Sequence, residues 1–178
     1  MTIFSPADPG ETRHCVGWLS RNPGPSYLRL GKAGEKPLHN LTPNLDSPLQ
    51  LVDRNANFAM VATGAIVAEA LTAAAALAEL GFSVDVFSMT RLTSLQEQNL
   101  SALRGYHDIL TIEEHVAAGG LGELLRAMVS VPGQLRSLCV PETLSSAIGS
   151  QTWLRSQAGL DAIAISNVVV SWRSHGGC

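Results

Sequence analysis

The chain has 178 residues, 46% of them hydrophobic, which is enough for one packed domain or for one domain plus a piece of another. Its formal net charge is −3, and no basic cluster or charge run marks a nucleic-acid face or a solvated tail. Aromatic residues are only 5%, so the core has to come mainly from Ala, Leu and Val.

Residues Ile3-Phe4-Ser5 read as the end of a strand. Asp8-Pro9-Gly10-Glu11 then reads as a helix start: Asp8 can accept from free backbone N–H groups, Pro9 suits the first helical position, and Glu11 can reach back. Cys15, Trp18 and Leu19 share one face of that helix, and Pro23-Gly24-Pro25 stops it. Tyr27-Leu28-Arg29-Leu30 is a short strand. Between residues 33 and 50, Gly34, Pro37, Asn40, Pro43, Asn44 and Pro48 suit a linker or a long surface crossing better than regular structure.

From Leu51 the pattern becomes regular. A strand over 57–63 precedes a helix from Ala65 to Leu80, closed by Gly81. A strand over 83–89, a helix near Leu95–Leu103, a strand over 108–114, a helix from Leu121 to Val129 and a strand over 134–140 follow. Ser150–Gln157 reads as a helix broken by Gly159, and Ile163–Trp172 as a last helix despite its β-branched residues. Strands alternating with helices imply an α/β fold with a mainly parallel sheet covered by helices.

The Ala-rich helix carries Glu69 and Glu79, so no apolar run suits a membrane span, and the N-terminus has no basic stretch ahead of an apolar one. Cys15, Cys139 and Cys178 are odd in number and widely spaced, which predicts free thiols in a reducing compartment, the cytoplasm.

Two junctions carry the candidate chemistry. Thr63-Gly64 joins a strand end to a helix start, where free N–H groups attract anions, yet neither GxGxxG nor a Walker Lys is present. Close packing of the helix on the sheet is the plainer role for Gly64. Gly119-Gly120-Leu121-Gly122 has the same two readings. Glu113, Glu114 and His115 leave a strand end together, and a carboxylate beside the imidazole could serve acid–base chemistry, although an interdomain hydrogen-bonding role suits His115 better. Arg29, Lys32 and Lys36 lie at or after a strand end, where a cation could hold a phosphate.

Several segments, taken in order, resemble the transketolases, above all those split into N-terminal and C-terminal subunits. They are Ser5-Pro6-Ala7-Asp8 with Glu11, Pro25-Ser26-Tyr27-Leu28-Arg29-Leu30, Val61-Ala62-Thr63-Gly64 with Glu69-Ala70, Asp85-Val86-Phe87-Ser88-Met89, Ile109 through His115, and Gly119-Gly120-Leu121-Gly122-Glu123. The resemblance implies that residues 1–35 are the closing part of a pyrimidine-binding domain, 36–50 a linker, and 51–178 a C-terminal domain. That domain is expected to be a three-layer α/β/α unit on a mixed, mainly parallel five-stranded sheet with one antiparallel strand.

The resemblance also implies a chemistry: transfer of a two-carbon ketol unit between sugar phosphates on thiamine diphosphate, with Mg. The Gly-Asp-Gly metal motif is missing, and the Glu that activates the cofactor is expected upstream of Met1. No catalytic, cofactor-binding or metal residue is therefore expected on this chain, which alone should be inactive, structural and self-associating, and in need of an N-terminal subunit or domains. Lys32 matches the family's phosphate-binding Arg, with a point charge in place of a bidentate fork. The alternative is a free-standing regulatory module that binds an anion or nucleotide at the strand ends near Gly64, Met89 and His115. An independent acid–base enzyme using Glu114 and His115 is a third reading.

Overall fold

The computed structural model describes residues 1–31, 34–144 and 146–175, with His175 described by its backbone alone. It begins with a small parallel pair, β1 (Thr2–Phe4) and β2 (Ser26–Leu28), in register Thr2↔Ser26 to Phe4↔Leu28. Helix α1 (Pro9–Arg21) joins them. Asp8 caps α1 as expected, its Oδ1 accepting from the Glu11 N–H at 2.8 Å, and Pro9 takes the first position. Cys15 is fully buried, and Trp18 packs edge-on against Phe4 at 5.3 Å between ring centroids.

The larger body is a five-stranded sheet in the order β3-β5-β4-β6-β7. Its strands are β3 (Leu49–Val52), β4 (Phe58–Thr63), β5 (Asp85–Ser88), β6 (Asp108–Glu113) and β7 (Leu135–Leu138). The last four run parallel, and β3 pairs antiparallel with β5. The fold expected from the resemblance, a mixed and mainly parallel sheet between helices, is the one observed. Strand β3 starts at Leu49, inside the stretch read from composition as linker. Four half-buried residues at a sheet edge, with a register irregularity after Gln50, leave too short an alternation to see in sequence.

Helices cover both faces. Phe58, Met60 and Ala62 of β4, with Leu110 and Ile112 of β6, face α2 (Val67–Glu79) and α5 (Ala162–His175). Ala59 and Val61 of β4, with Phe87 and Ile109, face the other side, where Leu121 and Leu125 of α3 (Leu121–Met128) meet Leu100, Leu103 and Tyr106. This alternation follows from the period of two along a strand, while every residue of β4 is buried because the sheet is covered twice. On α2 the small side chains Ala70, Ala73 and Ala74 are fully buried, so the helix lies close on the sheet.

Three boundaries differ from the sequence reading. The helix near Leu95–Leu103 is a tight 3₁₀ segment over Glu97–Leu103. A 3₁₀ turn, Gly64–Ile66, precedes α2. The strand read as Tyr27–Leu30 ends at Leu28, because β1 offers only three residues to pair with. Helix α4 (Gln151–Ala158) is capped by Ser150 Oγ and ends at Gly159, and α5 forms where Ile163–Trp172 was read as helix.

Candidate functional site

The N-terminal segment lies across the C-terminal ends of β4 and β5. The Ser5 N–H donates to Thr90 O at 2.7 Å, Gly64 N–H to Ser5 O at 3.1 Å, and Leu92 N–H to Ile3 O at 2.9 Å. Gly64 has a φ of +76°, and a Cβ there would sit 2.7 Å from Ser5 Oγ. Glycine is thus required twice at this seam, by backbone conformation and by the approach of Ser5.

Two buried carboxylates clamp the segment. Glu11 Oε2 accepts from the Ala7 N–H at 2.7 Å and from Thr90 Oγ1 at 2.8 Å, and its Oε1 lies 3.3 Å from His39 Nε2. Asp8 Oδ2 accepts from the Leu38 N–H at 2.8 Å. Burial opposes ionisation of Asp8, but the N–H groups of Glu11 and Leu38 and the nearby His39 hold its carboxyl below the usual range. One face of α1 therefore holds both the sheet end and the connecting stretch. His39 had no partner legible in sequence; its partner Glu11 is 28 residues away.

A chain of charges continues from this seam. Arg29 Nη2 donates to the Glu114 carbonyl at 2.6 Å. The Glu114 carboxylate receives a two-point contact from Arg155, Nε to Oε1 at 2.7 Å and Nη2 to Oε2 at 3.1 Å. Arg155 Nη1 also reaches Glu69 Oε1 at 3.4 Å, and Glu69 Oε2 accepts from the Ala162 N–H at the start of α5. Burial works against the Arg155 guanidinium, and Glu114 and Glu69 more than offset it, so its pKa moves up. Burial also pushes the Glu35 carboxyl up; Arg155 pulls it down, and the charges of Glu114 and Asp8 push it up again.

Where the segment meets the sheet ends there is a cleft of about 180 Å³, lined by Ser5, Arg29, Thr63, Gly64, Ala65 and Glu114 among others. The structure thus brings Gly64 and Glu114 to one place. It separates Glu114 from His115, which is exposed and whose Nδ1 lies 2.8 Å from Val116 O. The two do not form an acid–base pair. Gly119 is exposed and its N–H donates to Glu123 Oε2, while Gly120 is buried against the Glu113 carboxylate. Lys32 lies outside the described residues. Glu113, grouped in the sequence with Glu114 and His115, instead accepts from the Leu121 N–H at 2.7 Å and the Gly122 N–H at 3.0 Å and so caps α3 from the preceding strand, a role the sequence did not show. Sequence reading also missed Ser5 and Arg155 as seam residues, since only contacts distant in sequence reveal them. At Gly122 a Cβ would run into Ser137 Oγ and lie 2.8 Å from Thr111 Oγ1, so α3 rests directly on the sheet.

Residues 49–165 match the model of the transketolase C-terminal domain. The chain belongs to the transketolase family. Among curated relatives, this transketolase-family chain is 26% identical to a subunit of the apulose-4-phosphate transketolase of Actinobacillus succinogenes, over 95% of its own length and 56% of that protein. It is 32% identical to the 1-deoxy-D-xylulose-5-phosphate synthase of Thioalkalivibrio sulfidiphilus, over 93% of its own length and 26% of that protein. Among solved structures, a split-gene transketolase described as an inactive β4 tetramer superposes with a TM-score of 0.81 at 26% identity, covering 96% of this chain and 57% of that one. The transketolase of Campylobacter jejuni shares the fold, with a TM-score of 0.67 at 19% identity, and 96% of this chain covers 26% of it. The chain thus spans a little over half the length of the apulose-4-phosphate transketolase component and of the split-gene protein, and about a quarter of the synthase. These matches identify a C-terminal domain of the transketolase family, and the family implies thiamine diphosphate in the complete enzyme.

Proposed function

We propose that this chain is the C-terminal part, or subunit, of an enzyme that moves a two-carbon ketol unit between sugar phosphates, and that by itself it serves as scaffold and self-association surface. The observation that carries this reading is the seam. Residues 1–31 dock on the sheet ends through main-chain bonds and buried carboxylates, and the likeness to one component of a multi-subunit transketolase extends over this segment as well as the domain, covering 95% of the chain. That likeness argues for an N-terminal partner subunit or preceding domains. The relatives are named for sugar phosphates, which supports that substrate class.

The described residues do not fit thiamine diphosphate with its divalent ion. Among them no group of three or more His, Cys, Asp and Glu side chains could hold a metal. The carboxylates of Glu11, Glu113 and Glu114 are each occupied, by Thr90 and Ala7, by the head of α3, and by Arg155. We therefore place the cofactor and Mg on the partner or the preceding domains, and we derive no chemical step on this chain.

In this reading residues 1–35 close a pyrimidine-binding domain, 36–50 link it, and 51–178 form the C-terminal domain. Lys32 contacts the substrate phosphate, and the complex works in the cytoplasm. Strand β2, with Tyr27 52% exposed, supplies an open edge for self-association. The test is reconstitution: the chain is mixed with candidate N-terminal subunits, thiamine diphosphate and Mg, and ketol transfer between sugar phosphates is assayed. Activity in the mixture and in neither part alone is the expected result. Turnover by the purified chain with cofactor, or failure of every N-terminal candidate to bind it, overturns the reading.

A further inference from the structure

We propose that the cleft between the N-terminal segment and the head of α2 is a binding site for a small oxyanion of the phosphate class, built from Ser5 Oγ, the Arg29 guanidinium and the Ala65 N–H. Three residues that carry donors line it. Ser5 is 2% exposed, yet its hydroxyl has no hydrogen-bond partner among the described residues. It sits over Gly64 and lines the cleft. The cleft is thus where this hydroxyl can find an acceptor. Arg29 uses one nitrogen, Nη2, on the Glu114 carbonyl; its remaining N–H groups find no acceptor among the described residues, and it lines the same cleft. Ala65 follows Gly64 in the opening turn, where an N–H has no carbonyl one turn earlier to bind, and it too faces the cleft. The 13-residue helix α2 adds its positive end.

Charge and size select the ligand. Two carboxylates border the cleft: Glu114, whose oxygens are both engaged by Arg155, and Glu35, which lies against Gly31 and whose carboxyl burial pushes up, so Arg29 is the cation among the lining residues. At about 180 Å³ the cleft is well below the roughly 300 Å³ at which pockets for drug-sized ligands begin. One tetrahedral anion with its bridging waters suits it. A phosphate bound there would tie the N-terminal segment, through Ser5 and Arg29, to the body, through Ala65. The ligand would stabilise the seam as well as occupy it.

The test titrates the purified full chain with inorganic phosphate, and separately with a ketose phosphate and the same ketose without phosphate. Binding is followed by the backbone amide shift of Ala65 and by the melting temperature. Saturable binding of inorganic phosphate that moves the Ala65 amide is expected. Ser5→Ala and Arg29→Gln should each weaken it by about tenfold, the worth of one charge-assisted hydrogen bond. Circular dichroism confirms that each variant is folded, and Ser5→Ala removes a group with no structural partner, so it isolates binding from folding. A ketose phosphate binding as inorganic phosphate does, with the plain ketose silent, assigns the phosphate group as the ligand. No saturable shift at Ala65, or binding unchanged in both variants, overturns the site. This outcome is independent of reconstitution, since it needs neither a partner subunit nor turnover.

Discussion

Residues 1–31 and the five-stranded body share one seam but are held by different forces. In the body, β4 is buried at every position from Phe58 to Thr63, and its side chains enter two apolar layers. In the N-terminal segment, β2 leaves Ser26 and Tyr27 exposed, and α1 exposes Val16 at 52%. Beside the buried Phe4 and Ala7, what joins the segment to the body is polar: Glu11 on Thr90, Arg29 on Glu114, and the main-chain bonds of Ser5, Gly64 and Leu92. Apolar burial is additive and tolerant of small changes, whereas a buried polar clamp fails when one partner is lost. The body should therefore unfold as a unit, and the segment should come away from it through single side chains.

The largest effect expected is on the body. Leu110, fully buried in β6 against α2 and α5, should cost about 3 kcal/mol when changed to Ala, because the cavity adds to lost transfer energy. Denaturant unfolding should show both regions lost together at a lower midpoint. A change under about 1 kcal/mol would mean that this layer is not the core.

Glu11→Ala should act on the segment alone, with a cost of about 2–3 kcal/mol for the donors it strands. Amide exchange should speed up at Ser5 and Leu92, whose bonds join the segment to the sheet ends, while Met60 and Leu110 stay protected. Equal loss of protection in β4 and β6 would mean that segment and body open as one unit.

Acid should reproduce part of that release. The folded pKa of Asp8 is below its unfolded value, so its contribution is present above the ordinary aspartate value and is lost as pH falls through the folded one. The melting-temperature gap between wild type and Asp8→Asn should be widest near neutrality and close below about pH 4. A gap that stays constant down to pH 3 would remove Asp8 from the clamp.

The smallest effect is chemical. Burial, with the charge of Glu11, pushes the Cys15 thiol up to about 12, so it should resist alkylation at pH 8. Cys139 is half-buried and raised by burial and then by Glu113; it should react first in a Cys178→Ser background. In Glu11→Ala, Cys15 should become reactive, which ties this measurement to segment release.

Much of this molecule was legible in its residues, because the signals were local. Strand–helix alternation after Leu51, the Asp8-Pro9 helix start and the Gly64 junction each rest on neighbours in sequence, so period and capping geometry alone specify them. The run Ile163–Trp172 suited strand by its β-branched residues and helix by packing, and α5 settles it as helix. Tertiary structure alone decided the rest. Strand β3 exists because β5 offers it an edge. His39 is paired because the connecting stretch passes over α1. Glu114 turns into the seam while His115 turns out to solvent, though they are adjacent in the chain. Ser5, Arg29 and Ala65 line one cleft only because the small sheet docks on the large one, and no periodicity records a shared cavity between residues that far apart.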